Sequence, residues 1–273
     1  SLVGPRRRAA RTSSPSSKQG RVWMERDPNQ HLEDLYFKWR NCRKCENACK
    51  DQTPNVCDGR THIVFGTGNP SADILVIGIA PGEAEDKSGI PFSAETGVVR
   101  DEFLRDAGLA RAEIYSHNLI ACRPYVEVTD QWRGGIKREN RDPNAEERRN
   151  CRALLNEIIY TVDPLVIVGM GKPVVAELTG LRSITMTKMV GEVMQCTIPG
   201  RTGDPIPYTF IPMFNPAFLS RLPDRSEGSH WWKTRIAWQR LTYITDHLRK
   251  AYYGEKPPTR PFKKEDVFTA EMK

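Results

Sequence analysis

Residues 74–92 constrain the fold of this chain more than any other stretch. They open with four consecutive apolar residues, ILVI, a pattern typical of a parallel strand that is covered on both faces. The turn Gly-Ile-Ala-Pro-Gly follows directly at residues 78–82. Glycines in such a turn let backbone amides approach a ligand closely at the carboxyl end of a strand. We therefore expect a functional site just after Ile77.

The rest of the chain alternates between strand and helix patterns. Strands are predicted at residues 63–65, 74–77, 114–121, 165–168 and 209–213, and helices at 31–39, 98–107, 145–160, 173–178 and from 230 onward. The polar, turn-rich residues 127–143 are predicted to form a loop. This alternation indicates an α/β fold, a three-layer sandwich with a central, mostly parallel sheet.

The net charge of +7 has to be divided along the chain before it says anything about partners. Residues 1–22 hold six basic side chains and no acidic one, so the remainder is nearly neutral. We expect a disordered basic arm over 1–22, one folded domain over 23–253, and a disordered tail over 254–273. An organellar transit peptide is the alternative for the arm, although it lacks apolar residues for an amphipathic face.

No apolar run approaches the length of a membrane helix. The sequence therefore predicts no membrane partner, and we expect a monomer in an intracellular setting, the cytoplasm or the nucleoid. The seven cysteines agree with a reducing compartment, because their number is odd and four of them cluster within residues 42–57. This pattern favours thiolates that bind metal over a disulfide framework.

Asparagines stand at the ends of two predicted strands. Asn118 lies in the second core strand and Asn215 follows the last one. An amide offers both a donor and an acceptor, which is what reading the edge of a nucleobase requires. Phe92, after the Gly-Pro-Gly turn, supplies a flat ring on which such a base could stack. Turn, cap and core roles are the alternatives for all three.

These features carry a resemblance to a known family. The matching stretches are residues 64–70, 78–86, 89–92, 114–118, 122–124, 163–171 and 213–219. In order and spacing they resemble the uracil-DNA glycosylase superfamily, most of all its iron-sulfur families four and five. The resemblance covers residues 40–250 and implies hydrolysis of the N-glycosidic bond of uracil, or a related deaminated base, in DNA.

The resemblance also implies roles for individual residues. Phe92 would stack on the base and Asn118 would read its edge. Asn215 would donate to a carbonyl of the base. The turn that lines the pocket with its backbone comprises Ile79, Ala80, Pro81 and Gly82.

The families that this chain resembles bind a [4Fe-4S] cluster through four cysteines. Carried across, the ligands are Cys42, Cys45, Cys122 and Cys151, a four-thiolate set of the kind such clusters use. The alternative is a local zinc site formed by Cys42, Cys45, Cys49 and Cys57. That alternative belongs to a third interpretation, a zinc protein with a nucleotide-binding α/β body.

The chain differs from the family pattern at the positions that carry the catalytic residues. Family four has a glutamate at the position of Ile79, and most members have a histidine at the position of Asn215. Ala80 stands where other branches have an aspartate or asparagine. Family five uses an aspartate three residues after the stacking phenylalanine, and the corresponding residue here is Glu95. Glu95 is therefore the predicted group that orients water or stabilises positive charge on the sugar.

The segment after Asn215 resembles the loop that wedges into DNA when a nucleotide is extruded. Phe218 or Leu219 is the predicted wedge, and Arg221 leads a group of basic residues predicted to contact phosphates, with Arg225, Lys233 and Arg235. The departures keep a second function open. It is a weak or inactive member of the fold that serves as a DNA-binding module or as a partner of replication or repair proteins.

Overall fold

Six strands form one sheet, and its four central members run parallel. The computed structural model describes residues 27–46, 56–132, 134–200 and 203–253. Its strands are β1 Thr67–Gly68, β2 Ile74–Gly78, β3 Ile114–Asn118, β4 Tyr125–Thr129, β5 Ile136–Asn140, β6 Val166–Met170, β7 Met194–Pro199 and β8 Pro205–Met213. The sheet has the order β1-β3-β2-β6-β8-β7, and the edge strands β1 and β7 are antiparallel to their neighbours. The predicted mostly parallel sheet is confirmed.

Helices cover both faces of this sheet. They are α1 Pro28–Trp39, α2 Val56–Gly59, α3 Glu83–Ser88, α4 Glu95–Asp106, α5 Ala145–Val162, α6 Lys172–Thr179, α7 Met186–Met189, α8 Pro216–Leu219 and α9 His230–Tyr253. Leu35 of α1, Leu155 of α5 and Val175 of α6 belong to one apolar cluster. Phe103 of α4 and Trp238 of α9 belong to a second. The molecule therefore has the three layers that the sequence predicts.

Strand β2 shows why its sequence is apolar throughout. Leu75 and Ile77 belong to the cluster with α1, α5 and α6, whereas Ile74 and Val76 belong to the cluster with α4 and α9. Alternate side chains of a strand point to opposite faces, so a strand with both faces covered needs apolar residues at every position. The strand ends where this pattern ends, at Gly78.

The prediction of a loop over residues 127–143 is wrong. Strands β4 and β5 pair as an antiparallel hairpin in which Tyr125 lies opposite Asn140. Gly134 and Gly135 form its turn with φ values of 70° and 88°, in the left-handed region that glycine adopts readily. Every residue of β5 is exposed. A strand with no buried face has no hydrophobic periodicity, so this signal cannot reveal it.

The edges of the sheet also differ from expectation. Residues 63–65 form no strand, and the edge next to β3 is the two-residue strand β1. The opposite edge strand, β7, was not predicted. None of the helices in the described ranges has both the length and the apolar character of a membrane span. The arm over 1–22 and the tail over 254–273 lie outside the described residues, and the domain boundaries stay predictions.

Candidate functional site

A cleft of about 560 Å³ opens at the carboxyl ends of the parallel strands. It lies at the point where the order of the strands reverses, between β2 and β6, which is where open α/β sheets bind their ligands. Its walls come from the turn after β2, the start of α4, the end of β5 and the segment after β8. The lining residues are Gly78, Ile79, Ala80, Pro81, Gly82, Glu85, Phe92, Glu95, Thr96, Asn118, Asn140, Arg141, Asp142, Met170, Asn215, Pro216, Ala217, Ser220 and Arg221. The structure thus brings Phe92, Asn118 and Asn215 together.

Asn118 and Phe92 meet above Gly78. Gly78 lies beside Asn118 in the register of β2 and β3. A Cβ atom on Gly78 would overlap the Asn118 Oδ1 atom and crowd the tip of the Phe92 ring. The Asn118 Nδ2 atom is buried and has no hydrogen-bond partner within the part of the chain that the structure describes. A buried donor without a partner is costly, and a bound ligand would satisfy it.

Phe92 is held in an unusual backbone conformation. Its φ is +55°, a left-handed value that is uncommon for a bulky residue. Its amide donates to the Glu85 carboxylate, which also accepts from the Gly82 amide at 2.6 Å. The Arg100 guanidinium lies 4.8 Å from the ring centroid. The ring position is therefore fixed from several sides before any ligand arrives.

Glu85 was missed by the sequence analysis, although it belongs to an acidic run with Glu83 and Asp86. Glu85 and Asp86 are buried, and only Glu83 is exposed. Burial raises the pKa of the Glu85 carboxyl, and its backbone donors act against that shift. Asp86 accepts from the Thr61 amide at 2.9 Å. Both carboxylates organise backbone around the cleft, and the spacing of Glu85 from Gly82 was the available signal, since it forms a capping box.

Asn215 is oriented by the helix that it caps. Its Oδ1 accepts from the Ala217 amide at 2.9 Å at the start of α8. This bond occupies the acceptor, so the amide group left for the cleft is the NH₂ donor. A Cβ atom on Gly171 would contact both the Ile79 Cδ1 and the Asn215 Cβ atoms. Ile79 therefore brings an apolar surface to the neighbourhood of this donor.

Glu95 lies at the rim of the cleft as the first residue of α4. It is exposed to solvent. A carboxylate in the first turn of a helix is stabilised by the helix dipole, which is the structural role open to it. Its place in the cleft lining is also compatible with contact to a water molecule there.

The two residues predicted to wedge into DNA differ in their exposure to solvent. Leu219 is fully buried in the cluster with α4 and α9, so the prediction that it could wedge into DNA is wrong. Phe218 is 37% exposed, with its ring packed 5.5 Å from that of Phe214. Arg221 lines the cleft, and its Nε donates to the Ala217 carbonyl at 2.9 Å. One turn of helix thus directs Leu219 inward and leaves Phe218 at the surface.

The basic residues that follow Arg221 have acidic partners. Arg225 pairs with Glu102 at 3.2 Å and Arg235 pairs with Asp106 at 3.0 Å, both on α4. These ion pairs link the segment after β8 to α4. They give the two arginines a structural role beside the predicted contact with phosphates.

Arg141 and Asn140 are cleft residues that sequence reasoning missed. The Arg141 guanidinium donates to both oxygens of the buried Glu147, at 2.6 and 2.8 Å. Asn140 Oδ1 accepts from Arg123 Nε at 2.7 Å. Both belong to the segment that was predicted to be a loop. The available signal was the Asn-x-x-Glu capping box at residues 144–147, which begins α5 beside them.

Four distant cysteines converge beneath one end of the molecule. Asn150 Nδ2 donates to the Lys44 carbonyl at 2.9 Å and lies 3.5 Å from Cys45 Sγ, which ties the start of α5 to the loop after α1. Burial raises the pKa of Cys151, and the neighbouring thiols of Cys122, Cys45 and Cys42 raise it further. The four thiols therefore lie close enough to interact electrostatically.

The zinc alternative shares part of this region. Cys57 lies next to Cys45, whose backbone hydrogen bond lowers the pKa of Cys57 against the larger effect of burial. Cys49 lies outside the described residues. No group of three or more His, Cys, Asp or Glu side chains in the described ranges has the arrangement that holds a metal ion. Cys57 also interacts with Cys42, Cys45 and Cys122, so five thiols gather in the described part of this region, and thiolates are the ligands that an iron-sulfur cluster uses.

The fold and the cleft define the class first. This is an α/β protein whose site lies at the carboxyl ends of parallel strands and presents two amides and an aromatic ring. The chain belongs to the Uracil DNA glycosylase superfamily, whose family profile matches residues 65–242. The family that the sequence resembles is thus confirmed.

Two curated relatives with the same printed name are similar to this chain. The chain is 32% identical over 162 residues to the "Type-4 uracil-DNA glycosylase" of Thermotoga maritima, which covers 59% of this chain and 73% of the relative. It is 30% identical over 169 residues to the protein of the same name from Archaeoglobus fulgidus, covering 61% of this chain and 74% of the relative.

Proposed function

We propose that this protein is a uracil-DNA glycosylase, a hydrolase that removes uracil or a related deaminated base from DNA in base-excision repair. Its superfamily and the name that the curated relatives carry support this activity. The observation that carries the proposal is the buried Asn118 Nδ2 beside the Phe92 ring, a donor for which the described residues offer no hydrogen-bond partner. A flipped pyrimidine supplies an acceptor for the amide and a flat face for the ring.

Uracil and cytosine differ at the edge that Asn118 would read. Uracil presents a carbonyl oxygen next to a ring N–H, which matches an amide NH₂ beside an amide oxygen. Cytosine presents an amino group next to an unprotonated ring nitrogen. The amide NH₂ would then face a second donor, and the amide oxygen would face a second acceptor. An unmatched buried pair of this kind costs enough to reject the wrong base.

Cleavage breaks the bond between the base and C1′ of the sugar, and water adds to C1′. Negative charge grows on the base and positive charge on the sugar. In this proposal the Asn215 NH₂ donates to the base carbonyl, and the backbone of residues 79–82 lines the same cleft. We assign Glu95, one of the carboxylates of the lining, to hold the water or stabilise the sugar.

We assign Cys42, Cys45, Cys122 and Cys151 as the residues that hold a [4Fe-4S] cluster. When bound, the cluster supplies a covalent tie between the segment after α1, the β3–β4 connection and α5. Arg60 supports this assignment, because it donates to the Cys42 carbonyl and lies 3.5 Å from Cys122 Sγ. The cluster region is separate from the cleft lining, so its role is structural.

The alternative of an inactive DNA-binding or replication-partner module rests on Ile79 and Asn215. It is not favoured, because an amide at Asn215 keeps the donor and the curated relatives are named as glycosylases. A monomer that acts on DNA is part of the proposal.

Release of free uracil from single- and double-stranded oligonucleotides tests the function, and Glu95→Gln tests the carboxylate. We expect release by the native protein and a loss of about 10²- to 10⁴-fold in Glu95→Gln, the usual range for a general base. Glu83→Gln is the matched control, because Glu83 is an exposed carboxylate outside the cleft lining.

The outcomes separate the two claims. If the native protein releases no uracil from either substrate but binds both, it is the module rather than the enzyme. If Glu95→Gln keeps the native rate, the enzyme stands and Glu95 has only a structural role at the start of α4.

A further inference from the structure

The β4–β5 hairpin places a tryptophan in solvent. Trp132, in its turn, is 96% exposed, the largest exposed fraction among the exposed large hydrophobic side chains of the described residues. Ile136, at the start of β5, is 73% exposed. Tryptophan is on average a highly buried residue, so an exposed one on a projecting element indicates a binding role.

Three hydrogen bonds join Asp130 to the described residues of the turn. The Trp132 amide donates to Asp130 Oδ1 at 3.0 Å, and the Asp130 amide donates to the Gly135 carbonyl at 2.9 Å. The Gly134 amide donates to the Asp130 carbonyl at 3.0 Å. An aromatic side chain on a structured turn loses little conformational entropy when a partner packs on it.

The base of the hairpin belongs to the cleft. Asn140, the last residue of β5, lines the cleft, and Arg141 after it is anchored on Glu147. Four residue steps at about 3.3 Å separate Asn140 from Ile136, and the turn adds a few ångströms. The tip therefore lies roughly 15–20 Å from the cleft, about five nucleotides at ~3.4 Å per stacked nucleotide.

The hairpin carries no net charge, because residues 125–140 hold three basic and three acidic side chains. Lys137 and Arg138 are about half exposed on β5 and pair with Glu139 and Glu127. Binding of a single strand here therefore depends on the Trp132 ring, since stacking of a base on an aromatic side chain is sequence-tolerant and contributes about 1–3 kcal/mol per base.

We infer that the hairpin of residues 125–140 is a binding arm for the single strand flanking the extruded nucleotide, with a base stacked on Trp132. The inference rests on the proposed function and extends it to the DNA outside the cleft. It implies a preference for uracil in strands long enough to reach the hairpin tip.

Fluorescence anisotropy with a labelled, uracil-free single strand of 20 nucleotides tests the arm independently of catalysis. We expect Trp132→Ala to weaken binding about 5- to 150-fold, since one stacked base contributes about 1–3 kcal/mol. Trp132→Phe should retain most of the affinity. Phe37→Ala is the matched control, because Phe37 is a 53% exposed aromatic residue on α1, and it should change affinity less than twofold.

A second comparison uses strands of four nucleotides, which are too short to span from cleft to tip. The native protein should bind these more weakly than the 20-nucleotide strand, because one such strand cannot contact both the cleft and Trp132. Unchanged binding of the 20-nucleotide strand by Trp132→Ala overturns the inference and points to a protein partner at the hairpin. Absent uracil release with normal, Trp132-dependent binding overturns the proposed function and leaves the arm in place.

Discussion

At the scale of single residues, hydrogen bonds outside the cleft decide what each amide offers inside it. The Asn215 Oδ1 atom accepts a hydrogen bond from the Ala217 amide at the start of α8, so its NH₂ group is the donor that is left for the cleft. Asn118 keeps a buried Nδ2 without a partner in the described ranges. The residue types were visible in the sequence. Which atom faces the substrate was not, because the bonds that orient an amide come from the local geometry of the folded chain.

His117 shows the opposite case, a polar residue next to the site that does not line the cleft. It is fully buried, and burial lowers its pKa to about 3. Its Nδ1 has no hydrogen-bond partner in the part of the chain that the structure describes. This placement fits a structural histidine better than a contact with substrate.

His117 should make the protein sensitive to acid. Its pKa is about 3 in the folded state and about 6.5 when unfolded, so the unfolded state binds more protons between these values. The stability is fully present above pH 6.5 and is lost as the pH falls toward 3, by about 1.4 kcal/mol per unit. Urea unfolding at pH 7.5 and 5.5 should show a loss about 1.4 kcal/mol larger in the native protein than in His117→Gln. Equal losses in both proteins would show that the imidazole is not the titrating group.

At the scale of elements, the segment from β2 to α4 works as one preorganised unit. Its turn at residues 78–82 was predictable from the two glycines and the proline in the sequence. The clamp of Glu85 on the amides of Gly82 and Phe92 was not, because an acidic run looks solvated until the fold buries two of its members. Gly97 completes the unit, since a Cβ atom there would overlap the Phe92 carbonyl oxygen.

Gly97→Ala should therefore destabilise the protein although it lies in a helix. An ordinary helical glycine gains roughly 0.5–1 kcal/mol on replacement by alanine. Here we expect a loss of about 1–3 kcal/mol from overpacking, and lower uracil release because the Phe92 ring moves. Val98→Ala, at the neighbouring exposed position, is the control and should stay within about 0.5 kcal/mol. Denaturant unfolding and the release assay check both, and a stabilised Gly97→Ala would contradict the packing argument.

At the scale of the whole molecule, the cysteine group joins parts of the chain that are far apart in sequence. The Cys42–Cys45 loop, Cys122 and Cys151 belong to separate segments, and the polar contacts between these segments include that of Asn150 with the Lys44 carbonyl. A cofactor bound there closes long loops, which constrains the unfolded chain as well as the folded one.

Cys151→Ser should separate the iron-sulfur and zinc assignments. We expect the native protein to contain about four irons and to absorb visible light, and the variant to lose both and unfold at a lower temperature. Cys196→Ser is the control, since Cys196 is buried on β7 outside the four assigned ligands, and it should keep its iron. Zinc without iron in the native protein would support the local zinc site instead.

The sequence by itself determined the apolar strands, the glycine turn, the asparagines at strand ends and the order of motifs that mark the family. These follow from local backbone preference and from the period with which side chains meet the core. The tertiary structure alone decided that Leu219 is buried while Phe218 is exposed, that the Glu85 carboxylate accepts from the Phe92 amide, and that residues 125–140 form a hairpin. The physical reason is that burial and hydrogen-bond partners depend on segments distant in sequence, which no local pattern records.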